Sequence, residues 1–359
     1  MNNQTVGRSL LAVFVTLSAA WAFADAPSVH QKLYVLHSLG EQVTVVDVAT
    51  NEVIGEIQVG RLPHGLASPA SQRLLYVSNE GDNSLSVIDT RTDEVIKQYD
   101  GLGRRPNEID ITSDGRLIFL PALQDGVYEV FDVEREKVVA RLPTDGLPHN
   151  AVAAPDDRFV YFSAMDRGNT PAEYLEERDL PTSLNQKIYV ADTRSHEIVA
   201  TIDTGDAPRP IAVSPDGKYL YVNTDGLQGF LMLDLEQREV VARLEYELTQ
   251  KEAASPSRSH GLFATPDGRE VWTCDVEHGV IYAFDVTTMP PKQVGRVETS
   301  APAYWLTGTR DSRLLYVTSA PGDIVTTIDI ATRKVIGTIQ LPKGSAPKRM
   351  LVVDVPIGE

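Results

Sequence analysis

Residues 74–99 read LLYVSNEGDNSLSVIDTRTDEVIKQY. LLYVS and LSVID are short runs rich in β-branched and large apolar residues, separated by the turn-prone NEGDN. A second turn, DTRTD, leads into a third run, EVIKQY. Alternation such as Leu-Ser-Val-Ile-Asp has the two-residue period of a strand whose faces meet different surroundings. The unit recurs. An aromatic opens the equivalent of LLYVS at Tyr34, Tyr76, Phe119, Tyr161, Tyr221, Trp272 and Tyr316. The run after it closes on Asp47, Asp89, Asp132, Asp192, Asp234, Asp285 and Asp329, as in VTVVD, YEVFD, IYVAD, FLMLD, IYAFD and VTTID. A fourth short strand, ending in a PDG-like turn, precedes each unit.

Seven copies of about four strands at this spacing predict an all-β chain folded as a seven-bladed β-propeller with four-stranded blades. The count also predicts how the ring closes. The chain enters at what reads as a second strand (residues 33–37) and ends on an unused first strand (residues 350–355). Pairing of the two ends would complete one blade and remove the free sheet edges that invite aggregation. The seven aspartates repeat one per blade at the entrance of a tight turn, which marks them as turn acceptors and not as a metal ring.

The YV openings, the IDT-like strand ends and the SPDG turn resemble the YVTN-repeat β-propeller family. The likeness covers essentially the whole chain and implies the neighbourhood of nitrous-oxide-reductase and cytochrome-cd1-like propellers. That group includes surface-layer repeats, propellers of quinone-dependent oxidation, antibiotic-inactivating lyases and the haem d1 propeller. Its shared fold does not select among these functions.

A second regularity points to a site. Twelve residues before each opening aromatic, the loop meets the innermost strand, at His64, Asn107, His149, Arg209, His260 and Tyr304; by motif (APKRM against APRPI) the C-terminal strand offers Lys348. Innermost strands line the propeller axis, so these residues should converge on one mouth of the channel. A uniform hairpin register then places His64 near Asn79, Asn107 near Ala122, His149 near Ala164 and Arg209 near Thr224. It likewise sets His260 opposite Asp275, Tyr304 near Ser319 and Lys348 near His37. Sixty residues separate His149 from Arg209 and 51 separate Arg209 from His260, against 43 from His64 to Asn107. The extra lengths, residues 165–187 and 245–258, belong to mouth-side connections, where binding loops are common. AEYLEERDL in the first reads as a short amphipathic turn of helix.

Two chemistries are open to such a mouth. In one, Arg209, Lys348, Asn107, His37 and Asn79 bind a small anionic ligand, a cofactor or a periplasmic protein partner, in service of an oxidation pathway. In the other, His64, His149 and His260 hold one transition metal (Cu, Zn or Fe). His260, oriented by Asp275, then acts as general base with His149 or Tyr304 as acid, giving metal-assisted lyase or lactonase chemistry. A pure scaffold is the third possibility. Cys274, the one cysteine, should be turned between blades as an inert thiol, and His278 should be solvated in its loop.

The rest of the composition narrows the partners. The 359 residues carry a formal charge of −17, which argues against nucleic acid. No Gly-rich strand-to-helix loop and no CxxCH is present, which leaves out nucleotide loops and covalent c-type haem. Arg8, the apolar run 10–23 and Ala22-Phe23-Ala24 read as a signal peptide over residues 1–24. The expected mature chain is a single domain, residues 25–359, in the periplasm and without a membrane span.

Overall fold

The computed structural model describes Met1 and residues 29–165 and 185–357. The leader and most of the first insertion, including AEYLEERDL, lie outside the described residues. Twenty-eight strands, β1 to β28 in chain order, form seven four-stranded antiparallel sheets. The innermost strands are β4 (Pro63–Ala67), β8 (Asp110–Ile111), β12 (Leu147–Ala153), β16 (Pro208–Val213), β20 (Ser259–Ala264), β24 (Leu306–Gly308) and β28 (Pro347–Pro356). Each touches the next around the axis, and β28 touches β4.

The ring closes as the repeat count requires. β28 is the inner strand of the blade that β1 (Val29–His37), β2 (Gln42–Asp47) and β3 (Glu52–Gln58) begin, with His30 opposite Val355 and Leu33 opposite Val352. Seven hydrophobic clusters fill the seven gaps between blades. The one across the closure joins Leu33, Val35, Met350 and Val352 to Tyr316 and Val325 of the neighbouring blade. Alternation explains this packing: along one strand Leu85 and Val87 face one neighbour while Ile88 faces the other.

The seven aspartates behave as turn acceptors. Each takes a backbone N–H two or three residues on, from Thr50, Arg91, Arg135, Arg194, Glu236, Thr287 and Thr332, at 2.8 to 3.0 Å. Cys274 is buried, and burial pushes its thiol well above the ordinary range, so it is inert. Among the described residues no helix is long and apolar enough to cross a membrane.

Candidate functional site: the channel mouth

Each inner strand reaches the mouth through a break in its pairing. In β4, Pro63 faces Asn79 and Gly65 faces Ser78, so His64 occupies a β-bulge. In β12, Pro148 faces Ala164 and Asn150 faces Ser163, with His149 bulged. In β16 the break falls between Pro208, opposite Thr224, and Ile211, and holds Arg209. A bulge inserts one unpaired residue and re-aims its side chain, here toward the axis.

The uniform register therefore fails by one residue around the ring. Pro106 faces Ala122, Pro347 faces His37, and the Tyr304 N–H donates to Thr318 and not to Ser319. The pairing of His260 with Asp275 is corrected in the same way: Ser259 faces Asp275, and His260 faces Cys274. The Asp275 carboxylate instead meets His278 Nδ1 at 2.8 Å, so His278 is engaged and not solvated. Asn79 and His37 are buried supports. Asn79 donates to Ser84 and Ser86, and His37 Nε2 meets Thr44 Oγ1 at 2.6 Å.

The convergence itself holds. His64, Asn107, His149, Arg209, Tyr304 and Lys348 all line one cavity of about 160 Å³ at the mouth. His260 lies beside it, its ring 4.1 Å from that of Tyr304 and its Nδ1 accepting the Gly261 N–H. Larger grooves exist; one of about 480 Å³ runs past Pro155, Asp156, Gly217 and Lys218 at the PDG-turn ends of two blades, away from this cluster.

Two carboxylates and one cation were missed by the sequence reading. Glu80 Oε1 lies 3.1 Å from His64 Nδ1, and its other oxygen accepts from Arg105 at 3.0 Å. The imidazole–carboxylate pair of the mouth is thus His64 with Glu80. Below the rim sits Arg349, 1 % exposed, its guanidinium 3.5 Å from the ring centre of Trp305. Its Nε approaches Glu108 Oε2 at 2.7 Å, but the N–H is not aimed along that contact. Among the described residues, all three guanidinium nitrogens lack a hydrogen-bond acceptor. The signal for these residues lay one step along the same register. The next position in each blade reads Gly65, Glu108, Asn150, Pro210, Gly261, Trp305 and Arg349. Two of the seven are glycines that the backbone of the next blade approaches closely, and three carry large side chains.

Burial and this cation set the protonation of the mouth. Burial, then the positive charges of Arg349, Lys348 and their neighbours, hold His64, His149 and His260 well below the ordinary imidazole value, so all three are neutral at pH 7. Burial lowers the affinity of Arg349 for its proton and pushes Glu108 up to about 7, with Arg349 pulling the acid back. Burial opposes ionisation of Tyr304, yet Lys348, Arg349, Arg258 and Arg209 outweigh it and bring the phenol below its usual value.

The expected transition-metal site is not supported. Among the described residues no group of three or more His, Cys, Asp or Glu side chains could hold a metal ion. The physical reason is visible: His64 Nδ1 faces Glu80, His260 Nδ1 accepts a backbone N–H, and a buried guanidinium holds positive charge close enough to depress all three imidazoles.

No protein-family model matches the chain. It is 25% identical over 315 residues to Protein NirF of Pseudomonas aeruginosa, covering 83% of this chain and 75% of that one. To Antigen Lp49 of Leptospira interrogans it is 25% identical over 271 residues, 71% of this chain but only 55% of the relative. Among solved structures, Kuenenia stuttgartiensis hydrazine synthase superposes with a TM-score of 0.71 at 20% identity, over 88% of this chain and 99% of that one. The dihydro-heme d1 dehydrogenase NirN in complex with DHE superposes with a TM-score of 0.62 at 18% identity, over 87% of this chain and 64% of that one. With its seven closed blades, the chain is a seven-bladed β-propeller similar in sequence to Protein NirF.

Proposed function

We propose that the mouth binds a small anionic ligand through a carboxylate, and that the protein is a periplasmic accessory binding module. The observation that carries this reading is Arg349: a buried guanidinium beside Glu108 whose three nitrogens, among the described residues, lack hydrogen-bond acceptors. Leaving a buried charged donor unsatisfied costs more than the roughly 1–3 kcal/mol of a neutral group. A carboxylate accepts two N–H bonds from one guanidinium in a plane, so it is the group that relieves this cost. Neutral imidazoles add donors without charge, and Lys348 and Arg209 at the rim draw an anion inward through the field of an otherwise acidic protein.

The cavity sets the size of what enters. About 160 Å³ admits a carboxylate-bearing arm and not a macrocycle. NirN, as its name states, acts on dihydro-heme d1. A tetrapyrrole bound by the present chain would lie across the rim with one acid side chain on Arg349. The enzyme alternative loses its His260–Asp275 pair and its metal; what remains to it is His64, held by Glu80, and Tyr304.

The test is a titration of the folded protein with haemin and with haemin dimethyl ester, followed by absorbance. Binding of the free acid and not the ester, lost in Arg349→Met, supports the reading. Equal binding of both forms, or none, overturns it for this ligand class, and a citrate titration then decides whether any carboxylate binds.

A further inference from the structure

The correction at Asp275 leaves an arrangement that the mouth does not use. Asp275 is fully buried, and its Oδ2 meets His278 Nδ1 at 2.8 Å. On the other side of the same ring, His278 Nε2 lies 2.9 Å from the hydroxyl of Ser255. The order is hydroxyl, imidazole, buried carboxylate, with the two contacts on opposite ring nitrogens. A buried carboxylate on Nδ1 places the imidazole proton there, and Nε2 is then left as an acceptor for the serine proton.

The second insertion holds this hydroxyl in place. Tyr246 is buried and stacks on Tyr282 at 4.3 Å, giving the segment a fixed origin. Thr249 and Glu252 form a capping box on a one-turn helix, Gln250–Ala253, and Glu252 pairs with Arg296. Ser255 follows at once, its N–H donating to the Glu252 carbonyl at 3.2 Å. The hydroxyl of Ser257 also donates to Asp275, so the carboxylate is fixed from two sides. Ser255 itself is exposed.

We propose that Ser255, His278 and Asp275 form a nucleophilic triad, separate from the mouth, that takes small, solvent-accessible activated esters. Ser255 Oγ attacks the ester carbonyl carbon and its proton passes to His278 Nε2. Collapse breaks the ester C–O bond, and the departing alkoxide takes that proton. Water then attacks the acyl-serine, delivers a proton to His278 and releases the acid, and the serine recovers its hydrogen. The net change is ester plus water to acid plus alcohol, with Asp275 orienting the imidazole through its Nδ1 contact. Exposure of Ser255 is what sets the class: small esters that reach the hydroxyl from solvent.

The experiment uses a fluorophosphonate probe, which forms a P–O bond to an activated serine with loss of fluoride. Peptide mass spectrometry locates the label and a time course gives its rate. The expected result is a single label on Ser255, absent in Ser255→Ala, with a rate that rises with pH, as attack assisted by an unprotonated base requires. His278→Gln should slow it by about 10²–10⁴-fold, the usual contribution of a positioned general base, with folding checked by circular dichroism. No label on the wild type, a label elsewhere, or a rate that is flat with pH overturns the proposal. So does a folded His278→Gln that labels at the wild-type rate. Should that variant not fold, the wild-type label position and pH profile decide alone.

Discussion

Arg349 and Glu108 make a buried pair, and the proposed ligand would offset its cost. Replacing an ion pair of this kind by an apolar side chain of similar size is often neutral or stabilising, because the desolvation cost disappears with the charge. Arg349→Met combined with Glu108→Gln, which removes both charges together, should therefore leave the melting temperature unchanged or higher, whereas Arg349→Met alone leaves Glu108 buried without its partner and should lower it. Without the cation, Glu108, already at about 7, moves further up and stays protonated at neutral pH. The single variant should bind a carboxylate about 10–150-fold more weakly, the equivalent of the roughly 1.5–3 kcal/mol of a charged hydrogen bond. Calorimetry and a thermal melt on one preparation read both quantities. A variant that lost stability and kept affinity would show that Arg349 is structural. Glu80 gives the second test at this scale. Removing it frees His64 Nδ1, now 3.1 Å from its carboxylate, and takes one acceptor each from Arg105 and Asn107, which also bond to it. Glu80→Gln should weaken binding at the mouth several-fold while sparing fluorophosphonate labelling at Ser255.

Strands and turns were legible in the sequence; the breaks between them were not. The Asp that closes each third strand was readable because its oxygen is local, serving N–H groups two or three residues on. Asp192 takes three donors, from Arg194, Ser195 and Arg158. Asp192→Ala should cost about 1–2 kcal/mol in urea unfolding, at about 1 kcal/mol for a typical net hydrogen bond, while Asp192→Asn keeps an acceptor and loses less. The bulges at His64 and His149 leave no such signature. A bulge is one residue of extra length, and the register of a strand pair depends on the partner as much as on the strand. Hence the residues of the mouth ring could be found by counting, and their partners could not. His278 was misread although its partner is local: Asp275 lies three residues back across the turn, and pairing it with His260 left His278 without a partner.

At the scale of the whole molecule, stability is distributed over seven equal interfaces, and one of them depends on the last strand. Deleting residues 346–359 removes β28, and with it Met350 and Val352 from one inter-blade cluster and Val353 and Val355 from the next. It also opens the long edge of β1. The truncated chain should lose its cooperative melt, and a synthetic peptide of residues 345–357 should restore it in part. A truncated chain that melted like the full one would refute closure by these termini.

The pH dependence of stability tests the mouth and the ring together. His37, His64, His149 and His260 are all depressed by burial in the folded chain. Below about pH 6.5, the ordinary imidazole value, the unfolded chain therefore binds up to four protons that the folded chain refuses. Their contribution to stability is lost as pH falls. Buried carboxyls act with the opposite sign: Glu108, raised to about 7, and Asp110, raised to about 6, hold protons in the folded state that the unfolded chain has released, as Glu270 does to a smaller extent. Their contribution is present at low pH and lost as pH rises through those values. Four imidazoles outweigh these carboxyls between about pH 5 and 7, where each net proton changes stability by about 1.4 kcal/mol per pH unit. The melting temperature should climb from pH 5 to 7 and level off above about 7.5, once the imidazoles are neutral in both states. In a folded His64→Gln, His149→Gln, His260→Gln variant only His37 remains against the carboxyls, so the slope should reverse. A wild-type curve that is flat or falling between pH 5 and 7 would mean that the mouth histidines are hydrated and protonated. Arg349 would then be reached by water, and the guanidinium nitrogens on which the proposed ligand binding rests would already have acceptors.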